Sequence, residues 1–311
     1  MKNKTAKLLV QGAVLLLLLA VAVSIVSMRS RQTERQPLAA VEDALPAQNE
    51  PSPYPQETPQ PFPDIPQPSQ KIVELEKLIE NAISDNDGEW GVFYMDLSTG
   101  ESVYCTAGIE KDEPMVCASL IKLFVMAAVF EQIEAGTIDG EGAAPLLESM
   151  ITISDNLATN QLIRLLGGGS AEDGFAAVND FAKRGSYAST SLNRLMLDDN
   201  GLQNYSSAQD CGLFLERVYR GECVSEAASE KMLELLLAQT RRSKIPAGLP
   251  EGTSCANKTG ELSGLSECDA AIVFAPDGDY ILCVMSQPEN NLNAIESISE
   301  LSQAVYSKRE K

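Results

Sequence analysis

The chain has 311 residues, 44% hydrophobic and 22% charged, an ordinary composition for one large or two small globular domains. It contains no His, which excludes Ser-His-Asp and Cys-His catalysis, His-ligated zinc and any imidazole base. A net charge of −20 and 5% aromatic content leave a nucleic-acid partner without electrostatic or stacking support.

The charge is uneven. Lys2, Lys4, Lys7, Arg29, Arg31 and Arg35 face one acid, Glu34, in the first 35 residues, so a basic head precedes an acidic body. The acidity of that body reads first as solubility. The head brackets an apolar run from Leu8 to Val26, broken only by Gln11, Gly12 and Ser24. At about 1.5 Å per residue this approaches the bilayer hydrocarbon thickness. The flanking lysines favour a cytoplasmic N-terminus. No small-x-small cleavage site follows and no Cys offers a lipid anchor, so residues 1–28 read as an uncleaved single-pass signal-anchor rather than a cleaved signal peptide. Either reading places the body outside the cytoplasm, secreted in the cleaved case.

Residues 29–70 read as an extracytoplasmic stalk. Ten of the sixteen prolines fall between 37 and 69, and such a stretch favours extended polyproline II over a packed core. From residue 71 to 311 the pattern is that of one α/β (α+β) domain. Ile72, Leu75, Leu78, Ile79 and Ile83 recur at helical spacing, with Gly88 beyond. Strand-like runs at 91–97 and 102–106 are joined by Ser-Thr-Gly, a hairpin signal. Helical patterns follow over 117–134, 146–150, 156–166, 208–220 and 225–239. Strands return at 253–258, 270–275 and 280–286, the last two joined by Pro276-Asp277-Gly278. A last helix sets Ile295, Ile298, Leu301 and Val305 on one face. Strands at both ends and helices between predict an antiparallel sheet built from both ends of the chain, with flanking helices and a mostly helical lobe.

Cys105, Cys117, Cys211, Cys223, Cys255, Cys268 and Cys283 make seven. In an oxidising compartment disulfides are expected, with at least one thiol left over. No C-x-x-C pair exists, and nothing in the sequence calls for a metal or an organic cofactor.

Three short motifs carry the chemistry. Ser119-Leu-Ile-Lys122 opens the long helix, and residues three apart share one helix face. Ser at a helix start is usually an N-cap. It can also be a nucleophile if desolvation and a neighbouring cation depress the Lys pKa so that Lys122 accepts its proton. Alone the motif is weak, since about one S-x-x-K is expected by chance at this length. Ser154-Asp155-Asn156 precedes a helix and could equally cap it. Ser84-Asp85-Asn86 repeats those letters at the end of the first helix, where it reads as a turn. Lys258-Thr259-Gly260 ends a strand before a turn. The order of the set, helix start, helical lobe, strand, lifts it above its parts.

This set resembles the class A serine β-lactamases and the penicillin-binding proteins. The resemblance spans about 71–307, with Ile153–Ile163 and Gly167-Gly168 similar to a family helix and Leu192-Asn193 similar to the Leu-Asn of its omega loop. It implies that Ser119 forms an acyl-enzyme with Lys122 as base or relay. It implies that Ser154 passes a proton to the leaving nitrogen, tuned by Lys258. Asn156 would bind the substrate's amide side chain, and Asn193 would join it in substrate binding. Lys258, Thr259 and Gly260 would hold the substrate carboxylate, and the backbone N–H groups of Ser119 and Glu261 would form the oxyanion hole. The expected partner is a small-molecule β-lactam or a D-Ala-type peptide, taken by a monomeric domain tethered through its N-terminal helix.

Three departures qualify the resemblance. The family places a water-activating Glu four residues before the omega-loop Asn. Here that position is Ser189, and 187–193 holds no acid. A missing general base costs about 10²–10⁴-fold, so deacylation is expected to stall unless Asp198 or Asp199 substitutes. The interval from Ser119 to Ser154 is short for the family, which predicts a more open cleft. Glu261 sets a carboxyl beside a pocket meant for an anion. A β-lactamase, a D-alanyl-D-alanine peptidase that manages without the Glu, and a sensor that stays acylated all fit these letters.

Overall fold

Residues 67–198 and 201–309 are described by a computed structural model. All of them belong to the second of the chain's two units, which begins at Ile65. The signal-anchor expected over residues 1–28 and nearly all of the stalk lie outside the described residues. Among the described residues no helix is long and apolar enough to cross a membrane.

Helix α1 spans Gln70–Ser84. Ser69 Oγ caps it by accepting from Ile72 N at 3.2 Å. Its buried face is Ile72, Leu75, Ile79 and Ile83, each worth about 1.5–3 kcal/mol of burial. The helix stops at the first Ser-Asp-Asn, where Asn86 Nδ2 donates to Ala82 O at 2.7 Å, so that copy is a turn. Strands β1 (Glu89–Asp96) and β2 (Ser102–Ala107) form the expected hairpin, turning at Gly100 with φ +76°. The later strands are β5 (Ser254–Leu262), β6 (Ser266–Phe274) and β7 (Tyr280–Gln287). The sheet order is β2-β1-β7-β6-β5, every neighbour antiparallel, so both ends of the chain meet along β1 and β7.

Helix α8 (Asn291–Arg309) lies with α1 on one face of the sheet, closing a core of Ile79, Val92, Leu282, Val284, Ile298 and Leu301. The helical lobe covers the other face. Its central helix, α2 (Ile121–Glu134), is buried at every residue from Ile121 to Phe130, as a helix apolar all round must be. Around it pack α3 (Gly140–Thr152), α4 (Asn156–Leu166), α5 (Ala171–Arg184), α6 (Ala208–Tyr219) and α7 (Glu226–Leu237).

Four features differ from the sequence expectation. The long helix begins with a 3₁₀ turn at Ala118–Leu120 rather than as regular helix from Cys117. Strand β5 runs through Lys258-Thr259-Gly260 to Leu262 instead of ending there. Gly260 serves close approach, not a turn: a Cβ on it would lie 2.8 Å from Cys117 O, so the strand packs directly on the turn carrying Ser119. Helix α5 and the short pair β3 (Met115–Val116) with β4 (Tyr205–Ser206) were not anticipated. Finally, all seven cysteines are free thiols and all are buried, so the expected disulfides are absent and the thiols pack as small apolar groups.

Candidate active site

The site begins at the end of β3. Cys117 N donates to Asn204 O at 3.0 Å, and the chain then turns sharply at Ala118, a non-glycine residue with φ +46°. Backbone strain of this kind persists where the surroundings over-determine it. Ser119 follows in the 3₁₀ turn, half-buried. Neither that turn nor α2 is capped by a side chain, so the bland role of Ser119 as an N-cap is not realised.

One turn on, Lys122 is fully buried. Its Nζ donates to Ser154 O at 2.7 Å, Asn156 Oδ1 at 2.8 Å and Ser154 Oγ at 3.1 Å. Burial pushes its pKa down to about 7; Asp155 opposes the shift and Arg241 adds to it. Lys258, also fully buried, reaches across from β5 to donate to Ser154 Oγ at 2.9 Å and to Thr259 O at 2.7 Å. Burial, then the neighbouring Lys122 cation, holds it well below the normal lysine range.

Ser154 is free for this work because Asp155 caps α4, its carboxylate accepting from Ala158 N at 2.6 Å. Ser154 itself sits at φ +62°, a left-handed conformation that turns the chain into the lysine pair. The three motifs thus meet, with Ser154 Oγ at the junction. Ser119, Asn156 and Glu261 line one pocket, together with Arg194, Met196 and Gln203. Thr259 is covered, only 2% exposed. Asn193 is turned into its own loop, where Nδ2 donates to Gln203 O at 2.8 Å and Ser191 Oγ at 3.0 Å.

Glu261 is compensated. Its carboxylate lies 3.0 Å from Arg241 Nη1 and 3.5 Å from Lys244 Nζ. Lys244 is fully buried, ion-paired to Glu267 at 2.7 Å and bonded to Gly260 O and Cys268 O at 3.0 and 3.1 Å. This network under β5 escaped the sequence reading. The basic run Arg241-Arg242-Ser243-Lys244 in an acidic chain was the available signal.

At the position counted for the deacylating Glu, Ser189 N donates to Asp210 Oδ2 at 2.9 Å. Thr190 Oγ1 donates to the same oxygen at 2.8 Å. Asp210 is therefore a buried acid holding the loop, with burial raising its pKa. Asp198 is exposed, and Asp199 lies outside the described residues.

This fold, a five-stranded antiparallel sheet with a helical lobe, is that of the class A β-lactamases. An ancestral class A β-lactamase variant of Gram-negative bacteria superposes with a TM-score of 0.63 at 22% identity, covering 75% of this chain and 97% of that one. The structure of PBP-A matches with a TM-score of 0.67 and 26% identity, over 78% of this chain and 98% of its own. A PBP-A mutant held as its acyl-enzyme complex with penicillin G matches at 26% identity and a TM-score of 0.66, over 77% and 97%. The curated β-lactamase FAR-1 of Nocardia farcinica is 27% identical over 148 residues, and the match spans about half of it, 47%. A family model described as the β-lactamase enzyme family covers residues 74–145 and 143–308. The chain belongs to that family.

Proposed function

We propose that this protein is a serine hydrolase that opens β-lactams, or a related amide or ester, through an acyl-enzyme on Ser119. The observation that carries this reading is the convergence of Lys122 and Lys258 on Ser154 Oγ beside the pocket that holds Ser119. A lysine with a pKa of about 7 is half neutral at neutral pH, which suits it to take a proton. Neutral Lys122 accepts the Ser119 proton as Oγ attacks the carbonyl carbon. The oxyanion is received by the backbone N–H groups of Ser119 and Glu261, a contribution of several kcal/mol in acyl transfer. As the C–N bond breaks, Ser154 gives its proton to the leaving nitrogen and is reprotonated through the lysine pair. The acyl group then stays on Ser119 as an ester.

Water must cleave that ester, and among the described residues the loop lines the pocket with Arg194, Met196, Leu197, Gln203 and Asn204, none of them an acid. Asp210 is committed to Ser189 and Thr190. Slow deacylation follows. A D-alanyl-D-alanine peptidase or a non-turning-over sensor is the second reading, favoured by Ser189 and by the likeness to PBP-A, a mutant of which is captured acylated by penicillin G. The proposal also places this domain outside the cytoplasm, tethered through residues 1–28, on the basic-apolar-basic pattern alone. A fluorescent penicillin tests the acylation step. A labelled band that survives denaturation and is lost in Ser119→Ala supports it; equal labelling of both proteins, or of neither, overturns it.

A further inference from the structure

Arg194 lines the same pocket as Ser119 and Asn156, yet it belongs to none of the three motifs. It is only 9% exposed. Its Nη1 donates to Leu195 O at 3.0 Å and its Nη2 to Gln203 Oε1 at 2.9 Å. Its Nε has no hydrogen-bond partner. Among the described residues no carboxylate lies within ion-pair distance of it. A guanidinium carries five N–H donors in a fixed fork suited to carboxylates. Among the described residues this buried cation has no counter-ion, which is unfavourable unless an anion completes it; Nε is itself enclosed, so the second N–H of each Nη is what remains to meet one.

The arginine is also held in register with the nucleophile. Asn204 Oδ1 accepts from Asn193 N at 2.8 Å and Arg194 N at 3.1 Å, while Asn204 Nδ2 donates to Arg194 O at 3.2 Å. The carbonyl of the same Asn204 accepts from Cys117 N, two residues before Ser119. On the other side, Asn160 exchanges two hydrogen bonds with Met196, tying the loop to the helix that begins at Asn156. The other charged residue among those described in the pocket, Glu261, is paired with Arg241 and Lys244 and not with Arg194.

We propose that Arg194 is a specificity-determining anion receptor, which pairs with a carboxylate carried on the acyl portion of the substrate. Resting on the acyl-enzyme reading above, this defines the substrate class: an amide, ester or β-lactam whose acyl side bears an acidic group. That charge is additional to the carboxylate assigned to the Lys258-Thr259 side. Met196 beside Arg194 lowers the local polarity, which strengthens a charge-assisted bond there.

The test compares two penicillins differing by one carboxylate, α-carboxybenzylpenicillin and benzylpenicillin. Binding is measured by calorimetry on Ser119→Ala, where no acylation intrudes, and acylation rates are measured on the unmodified protein. The carboxylated compound is expected to bind Ser119→Ala about tenfold more tightly, with the advantage shrinking as salt is raised. In Ser119→Ala/Arg194→Gln the ratio is expected to fall to about one, with Arg194→Lys between. A purely structural role would weaken both ligands together and preserve the ratio. A ratio near one in Ser119→Ala itself overturns the proposal without any Arg194 variant having to fold. Tight, selective binding with no adduct on the unmodified protein would leave the receptor standing and remove the acyl-enzyme reading.

Discussion

Lys122 and Lys258 both donate to one oxygen, Ser154 Oγ, at 3.1 and 2.9 Å. Two fully charged ammonium groups this close, both buried, repel each other in a medium that screens poorly. The arrangement is stable when one of them is neutral. A neutral lysine offers a lone pair, and Ser154 then has an acceptor for its own proton. In the proposed mechanism the hydroxyl is a bridge along which a proton passes between Lys122 and the leaving group.

Acylation should therefore follow the neutral form of Lys122. The rate is predicted to rise with pH, with a midpoint near the pKa of about 7, and to be suppressed about tenfold or more at pH 5.5. A stopped-flow pH profile with a chromogenic β-lactam checks this; a flat profile from pH 5 to 8 would count against Lys122 as base. The same shift has a stability consequence. From about pH 7 to the normal lysine value of 10.5 the unfolded chain binds the proton that folded Lys122 has released. Its contribution to stability therefore rises with pH across that window and is lost as pH falls through about 7.

Ser154→Ala removes the bridge while leaving the Lys122 bond to Ser154 O, a backbone group, in place. Acylation by benzylpenicillin should fall about 10²-fold, within the range for loss of general acid–base help. Binding to Ser119→Ala/Ser154→Ala should change far less than the rate. Equal losses in binding and rate would mean that Ser154 positions substrate instead of moving protons.

Glu261 is tolerable at the pocket because Arg241 lies 3.0 Å from it. Arg241→Gln exposes that carboxylate to an anionic ligand. It should weaken benzylpenicillin binding about two- to fivefold, as expected for a partly exposed pair. Glu261→Gln added to it should restore most of the loss. Additive losses in the double variant would contradict the pairing.

Lys244 is the buried anchor beneath β5, holding Glu267 at 2.7 Å and the carbonyls of Gly260 and Cys268. Lys244→Met leaves a buried carboxylate and two carbonyls without that partner. A loss of about 3–5 kcal/mol of stability is predicted. Thermal or urea unfolding reads it directly, and a change under about 1 kcal/mol would show that the pair contributes little.

Much of this was legible in the letters. Ser119 and Lys122 three apart, Ser154-Asp155-Asn156 ahead of a helix it could cap, and the apolar spacing of Ile72 to Ile83 each reflect local rules. The chain-end pairing of β1 with β7 followed from strands flanking helices. The misses share a cause in tertiary context. Gly260 reads as a turn signal because the carbonyl of Cys117 that needs its missing Cβ is far away in sequence. Helix α5 announced itself with Ser170 as cap, acids in its first turn and bases in its last. Its Gly174 blurred the pattern, although a Cβ there would lie 2.0 Å from Ile163 O, which is why the helices cross so closely. Arg194 gave no signal at all, since its meaning depends on Asn204 and Gln203 folding back beside it.

The most direct measurement is a time course of intact mass for the protein mixed with benzylpenicillin, with Ser119→Ala beside it. One added penicillin mass is expected to form at neutral pH, to persist after free drug is removed and to be absent from the variant. An adduct in the variant, or no adduct on the unmodified protein while Ser119 is intact, would contradict an acyl-enzyme on Ser119.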